Sequence, residues 1–167
     1  MRTGIALGSN IEPRLAHLQS ARRHIFSLHS GVRPVLYSKV YETSPVDCPV
    51  DSPPFLNAVL ELSIATEPED LLREVKNIEN ALGRQPSSQR NGPRIIDIDL
   101  LYCENLTISS PGLTLPHPQI ARRRFVLQPL ADIRPKLILP NFSKNVEELL
   151  QELTSDEVVN IYCNAIY

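Results

Sequence analysis

Over the first 103 residues, four short runs with the composition of β-strands are separated by two stretches whose apolar residues recur every three to four positions. Residues 3–7 form an apolar strand that stops at Gly8-Ser9-Asn10. Leu15, Leu18, Ala21, Ile25 and Leu28 then mark one face of a helix, with Ser9 or Asn10 as its expected cap. Residues 35–42 are β-branched and aromatic, and residues 55–64 (FLNAVLELSI) alternate over their second half; the proline-studded segment SPVDCPVDSPP joins these two strands. Thr66-Glu67-Pro68-Glu69 reads as a capping box. It opens a second helix with Leu71, Leu72, Val75, Ile78 and Leu82 on one face and Gly83 just beyond. IIDIDLLYC supplies the fourth strand. The order β-α-β-β-α-β predicts an α+β fold with a ferredoxin-like core, an antiparallel sheet with helices on one face.

After Cys103 the pattern weakens into a C-terminal extension. A short strand at 106–109, the loop PGLTLPHPQ, a basic apolar segment ARRRFVLQPL and a helix over 146–153 with Ser143 as cap are expected there. No repeat or linker interrupts the chain, so 1–167 reads as a single domain. At 167 residues and 42% hydrophobic content, it is long enough to bury about two-thirds of its unfolded surface.

The formal net charge of −2 excludes a uniformly basic nucleic-acid binder and gives no attraction to an anionic membrane. No apolar run approaches the ~20 residues that cross a bilayer, and MRTGIALGSN lacks the apolar stretch of a signal peptide. Cys48, Cys103 and Cys163 are odd in number and widely spaced, which predicts neither a disulfide framework nor a structural zinc and fits a reducing cytoplasm.

The strongest local anomaly is Asp97-Ile98-Asp99 inside an otherwise apolar strand. Residues i and i+2 project from one face about 6.5–7 Å apart, so two carboxylates converge on one patch of sheet. That costs stability unless a cation sits between them, and hard oxygen ligands at that spacing suit a pair of Mg²⁺ ions. Taken alone, D-x-D is a short and common string. Its neighbourhood adds weight: Arg84, Arg90 and Arg94 stand upstream with no acidic residue between them, and Arg122-Arg123-Arg124 downstream. Arginine grips phosphate bidentately and keeps its charge; the plain alternative, preferred for Arg122 and Arg124, is a solvated loop charge. No Walker motif or G-x-G-x-x-G occurs, so phosphate binding falls to side chains.

Pro116 and Pro118 fix the backbone around His117, whose imidazole could donate to a phosphate oxygen or serve only the turn. Phe55 and Phe125 could sandwich a flat heterocycle or lie in the core. Asn57 could read the edge of such a ring or face outward from its strand.

The string Arg90-Asn91-Gly92-Pro93-Arg94-Ile95-Ile96-Asp97-Ile98-Asp99-Leu100-Leu101 resembles the signature of the 6-hydroxymethyl-7,8-dihydropterin pyrophosphokinases of folate biosynthesis. ALGSN, Phe55-Leu56-Asn57-Ala58, Glu79, Gly83-Arg84, Leu115-Pro116-His117, Arg123 and Phe125 extend the resemblance from residue 1 to about 140. It implies transfer of pyrophosphate from ATP to the pterin hydroxymethyl group, releasing AMP. By position, Asp97 and Asp99 would hold two Mg²⁺ ions, with Asp97 as proton acceptor. Arg84, Arg94, Ile98, Thr114, His117 and Arg123 would serve ATP, and Ser44, Val46, Phe55, Asn57 and Phe125 the pterin. Arg84 and Arg94 would join the two aspartates in catalysis. ATP and the pterin are then the expected partners of a monomer that works beside, or fused to, other folate-pathway enzymes. Asn91, Pro118 and Lys76 depart from the family pattern near the adenine end and the Arg-rich loop.

Two rivals share parts of this pattern. RNA-recognition modules have the β-α-β-β-α-β order, but they present aromatic and basic residues where this chain has Asp97 and Asp99. Another two-metal phosphoryl-transfer enzyme would account for the carboxylates and arginines and leave the paired Phe and Asn57 without a role.

Overall fold

Five strands line up in the order β5-β1-β4-β3-β8, and β2 also pairs with β4. Their bounds are β1 (Arg2–Ser9), β2 (Leu36–Tyr37), β3 (Val40–Thr43), β4 (Phe55–Ser63), β5 (Asp97–Cys103) and β8 (Val159–Cys163). β6 (Ile108–Ser110) and β7 (Leu113–Leu115) form a separate hairpin. The helices are α1 (Arg14–Phe26), α2 (Pro68–Ala81), α3 (Arg124–Ile133) and α4 (Val146–Glu152). This computed structural model describes residues 1–84 and 92–165; Arg90 and Asn91, singled out in the sequence, lie outside the described residues. The fold is α+β, an antiparallel sheet with helices packed on it.

The sheet is covered on both faces, where the sequence pattern predicts helices on one. Along β4, Leu56, Ala58, Leu60 and Leu62 join Leu18, Ala21 and Ile25 of α1 and Leu71, Val75 and Ile78 of α2 in one core. Val59 turns the other way and packs with Tyr102 and with Val126, Leu127 and Leu130 of α3. Burial on two sides is why FLNAVLELS alternates so poorly. α3 grows from the basic apolar segment whose ARRRFVLQPL pattern gave no secondary structure in advance, and α4 packs beside it.

Several local signals moved by a few residues. β1 continues through Gly8 to Ser9, so neither Ser9 nor Asn10 caps α1; the cap position is Pro13, with no side-chain bond. The Thr66 capping box is not formed. Pro68 at the first helical position sets the start of α2 one residue later, with Glu67 as cap. The box forms instead at α4, where Asn145, not Ser143, exchanges bonds with Glu148. The strand at 35–42 is broken because the Ser38 hydroxyl accepts the Val59 amide at 2.8 Å. The expected strand at 106–109 lies at 108–110, and its partner β7 occupies the stretch read as loop, across Gly112 at φ 91°.

On the α3 face, Glu61 is buried with 2% of its surface exposed. It receives Arg134 Nε at 2.9 and 3.0 Å and the Tyr102 hydroxyl, with Arg2 at 3.8 Å. Burial, then the Glu61 charge, pushes the Tyr102 phenol far up, so it stays a donor. The ring lies over Gly4, where an added Cβ would overlap the Tyr102 ring. Nearby, the Tyr41 hydroxyl donates to Asp132 of α3, and burial and that carboxylate push its pKa up to about 12. Removing Glu61 leaves Arg134 and the Tyr102 hydroxyl without their shared acceptor. Glu61→Ala is therefore expected to lower the unfolding free energy by roughly 3 kcal/mol, read from urea denaturation. A loss under about 1 kcal/mol would contradict this account of the network.

Candidate active site

The α3 face of the sheet is covered only in part. Where α3 begins, the ends of β1, β4 and β5 form the floor of a cleft of about 650 Å³, including the part open to solvent. Strand register puts Asp97 opposite Gly8, Gly8 opposite Asn57, and Asn57 opposite Tyr41, so these side chains share one face. Asp99, two residues along β5, lies opposite Ala6 on that same face.

Gly8 keeps the floor flat. A Cβ there would lie 3.0 Å from Asn57 Oδ1 and 3.8 Å from the Phe55 ring. Asn57 is buried, not outward-facing: its Nδ2 donates to Thr43 Oγ1 at 2.7 Å, which fixes the amide over Gly8. Phe55 and Phe125 both line the cleft and are half-buried, so neither belongs to the fully buried core. Each carries a guanidinium over its ring, Arg94 Cζ 5.8 Å from the Phe55 centroid and Arg123 Cζ 5.5 Å from that of Phe125. Ser44, Val46 and Cys48 complete this end from the loop after β3, whose Asp47 and Asp51 take the left-handed backbone that Asp tolerates.

The carboxylate end is organised from behind the sheet. Glu79 of α2, 1% exposed, accepts the Ile98 amide at 2.7 Å, Lys76 Nζ at 2.9 Å and an Arg84 nitrogen. The same Arg84 nitrogen reaches Asp97 Oδ1 at 2.7 Å, and Arg94 Nη1 reaches Oδ2 at 2.8 Å. Burial raises the Asp97 pKa, but Arg94 and Arg84 outweigh it and hold the carboxyl below its ordinary value. Asp99 has no hydrogen-bond or ion-pair partner among the described residues; burial, then the Asp97 charge, pushes its pKa up. Arg94 is itself anchored, since its amide donates to Asn10 Oδ1 at 2.8 Å and its carbonyl accepts the Asn10 amide at 3.2 Å. Asn10, read as a helix cap, is instead the clasp between the end of β1 and the Arg94 backbone.

Other expected site residues lie apart from the cleft lining. His117 follows β7 and is tied to β5 by its amide, which donates to the Leu101 carbonyl at 2.8 Å. Its Nδ1 accepts the Gln119 amide at 3.2 Å, leaving Nε2 to carry the proton of the neutral ring. Burial lowers its pKa, against the pull of Asp99. Ile98 buries its side chain on the α1–α2 face, and Thr114 is exposed on the β6–β7 hairpin. Arg84 stands behind Asp97, outside the lining. Gly8, Asn10 and Cys48 were not singled out for the site: glycine and asparagine at a strand end signal a turn, and Cys48 enters only because its loop folds over the floor.

Among the described residues no three His, Cys, Asp or Glu side chains converge as a metal cage. Asp97 and Asp99 bring two carboxylates onto one face of β5. Asp99, without a hydrogen-bond or ion-pair partner among the described residues and crowded by its neighbour's charge, suits a hard divalent cation. No helix among the described residues is long and apolar enough to cross a membrane.

Residues 4–135 match the family model described as 7,8-dihydro-6-hydroxymethylpterin-pyrophosphokinase. The chain is 35% identical over 157 residues to a 2-amino-4-hydroxy-6-hydroxymethyldihydropteridine pyrophosphokinase of Haemophilus influenzae, covering 94% of this chain and 96% of that protein. The corresponding enzyme of Methylorubrum extorquens is 40% identical over 152 residues, covering 91% and 93%. A longer relative, the Schizosaccharomyces pombe folic acid synthesis protein fol1, is 34% identical over 154 residues. The chain spans 92% of its own length but only 21% of that protein. Among solved structures, Plasmodium falciparum HPPK-DHPS with pteroate superposes with a TM-score of 0.69 at 14% identity, over 90% of this chain and 42% of that one, a likeness of fold.

Cys48 reports on the cleft directly. Burial raises its thiol pKa, with Arg94 pulling the other way, so at about pH 7.5 it holds less thiolate than a free cysteine. Alkylation of Cys48, followed by mass spectrometry, is expected to be slower than that of a free cysteine near that pH. Its rate should go on climbing above the ordinary thiol range. Faster reaction than a free thiol would contradict the assigned surroundings.

Proposed function

This chain belongs to the 7,8-dihydro-6-hydroxymethylpterin-pyrophosphokinase family, and from that membership we propose how its cleft performs the reaction. It is a pyrophosphokinase of folate biosynthesis acting on a pterin. The hydroxymethyl oxygen of 6-hydroxymethyl-7,8-dihydropterin attacks the β-phosphorus of ATP. The bond from that phosphorus to the α–β bridging oxygen breaks, AMP leaves, and the hydroxyl proton is lost. The observation that carries this reading is the union in one cleft of two aromatic rings with a fixed amide, and of a carboxylate pair with arginines.

The pterin lies between Phe55 and Phe125, its edge on Asn57, with Ser44 and Val46 closing the side. To reach the phosphates, Arg94 and Arg123 leave the aromatic faces and Arg84 turns from Asp97. Each then follows charge as it moves toward AMP. His117 donates from Nε2 to a phosphate oxygen; the Ile98 backbone and Thr114 serve the nucleotide end. Asp97 and Asp99 would hold two Mg²⁺ ions, which would supply charge neutralisation and alignment of the triphosphate. Asp97 spends both oxygens on Arg84 and Arg94, so it accepts the hydroxyl proton only after those arginines have moved to phosphate.

The strand order β5-β1-β4-β3 supports a ferredoxin-like core carrying α1 and α2, extended by α3, α4 and β8. We read residues 1–167 as one pyrophosphokinase domain, monomeric, binding neither nucleic acid nor membrane and working in the cytoplasm. The fol1 and HPPK-DHPS relatives favour a place beside, or fused to, other folate-pathway enzymes.

With ATP, Mg²⁺ and the reduced hydroxymethylpterin, the protein is expected to release AMP and pterin diphosphate in equal amounts, resolved by ion-exchange chromatography. ADP, or nucleotide turnover indifferent to the pterin, would sink the reading. Asp99→Asn should cut kcat by about a hundredfold or more, as loss of one group stabilising transition-state charge does.

A further inference from the structure

Residues 153–163 lie beyond the stretch matched by the family model, yet they bond to both walls of the ring-binding end of the cleft. On one wall, Glu157 Oε2 accepts the Phe125 amide at 3.0 Å. That amide belongs to the first turn of α3, where backbone donors have no partner within the helix, and the cap residue Arg123 offers no side-chain acceptor. A carboxylate 32 residues away in sequence thus does the work of a cap, with the sign of charge that a helix N-terminus favours. On the other wall, the Val158 carbonyl accepts the Ser44 amide at 3.0 Å, and the Val158 amide donates to Ser44 Oγ at 3.1 Å.

Two adjacent residues of one segment therefore grip Phe125 and Ser44 together. The grip is stiffened on both sides. Val159 pairs with Thr43 as β8 begins, and the Glu157 amide donates to Ser155 Oγ at 3.1 Å. Arg124, read in the sequence as a solvated charge, donates to the Leu153 carbonyl at 2.8 Å. Among the described residues neither Asp97 nor Arg94 bonds to this strap; their partners are Arg84 just after α2, Asn10 just after β1, Gly92 and each other.

We infer that Glu157 is a positioning residue that sets the gap between the Phe125 and Ser44 walls, and so governs how well the cleft grips the flat ring. This rests on the reading that the pterin stacks there. Among the described residues assigned to phosphate, Arg123 alone adjoins the strap, as cap residue of α3 with its guanidinium over Phe125, so the strap's effect weighs on ring affinity far more than on phosphate chemistry.

Steady-state assays of Glu157→Ala with ATP, Mg²⁺ and hydroxymethyldihydropterin are expected to show KM for the pterin raised roughly tenfold. The kcat should stay within about twofold of wild type, and the KM for ATP should move several-fold less than that for the pterin. Glu157→Gln, whose amide oxygen still accepts the Phe125 amide, should restore the pterin KM to within about twofold, which a requirement for bulk or packing alone would not explain. If Glu157→Ala folds poorly, Glu157→Leu keeps the stem without the acceptor and carries the same expectation. An active wild type with an unmoved pterin KM in the acceptor-free variant overturns this inference alone, as does a parallel loss in kcat and ATP affinity. A wild type that makes no pterin-dependent AMP overturns the functional reading, and this inference with it.

Discussion

The Glu79 carboxylate is the point on which the site's geometry turns. It comes from α2, on one side of the sheet, and is spent on the Ile98 amide and on Arg84. The hydrogen bond from the Ile98 amide fixes the start of β5 in register, and period-two geometry then throws Asp97 and Asp99 to the opposite side. Arg84, held by the same carboxylate, meets Asp97 around the edge of the sheet. A buried acid in the scaffold thereby decides where the two half-buried acids of the cleft stand, and the core of α1 and α2 transmits its rigidity to them without touching them.

That division of labour explains the unequal coverage of the sheet. The α1–α2 face is apolar over most of its length and carries the buried Glu79 near the start of β5, while the other face is apolar under α3, charged at Glu61 and open at the cleft. Glu61, Arg134 and Tyr102 hold α3 at its far end, and Phe125 stands where its near end meets the cleft. A helix clamped at both ends makes a firm wall. Gly4 under Tyr102 and Gly8 under Asn57 are the two places where β1 gives up a side chain to permit these contacts.

Much of this was legible in the sequence because the signals were local. The helical spacing from Leu71 to Ile78 and the intrusion of two aspartates into IIDIDLLYC each carry their meaning within a dozen residues. What escaped detection depends on partners far apart in the chain. Asn10 resembles a cap until Arg94, 84 residues later, takes its side chain. ARRRFVLQPL does not announce α3 because Pro129 sits inside the helix and its first turn is capped from Glu157 instead of by a neighbouring side chain. β8 has polar and apolar residues in no useful order; its strand form comes from the edge that β3 offers. Pro68 overrode a well-formed capping-box string by fixing φ one position later.

The guanidinium groups above Phe55 and Phe125 make binding in this cleft an exchange. A flat molecule that settles on either ring must evict a cation already resting there, so stacking alone yields only a difference between two π contacts. The evicted arginines become a net gain only when an anion waits within their reach. Such a surface discriminates by conjunction: aromatic compounds without phosphate, and phosphates without a ring to displace the cations, each collect a fraction of what the two collect together.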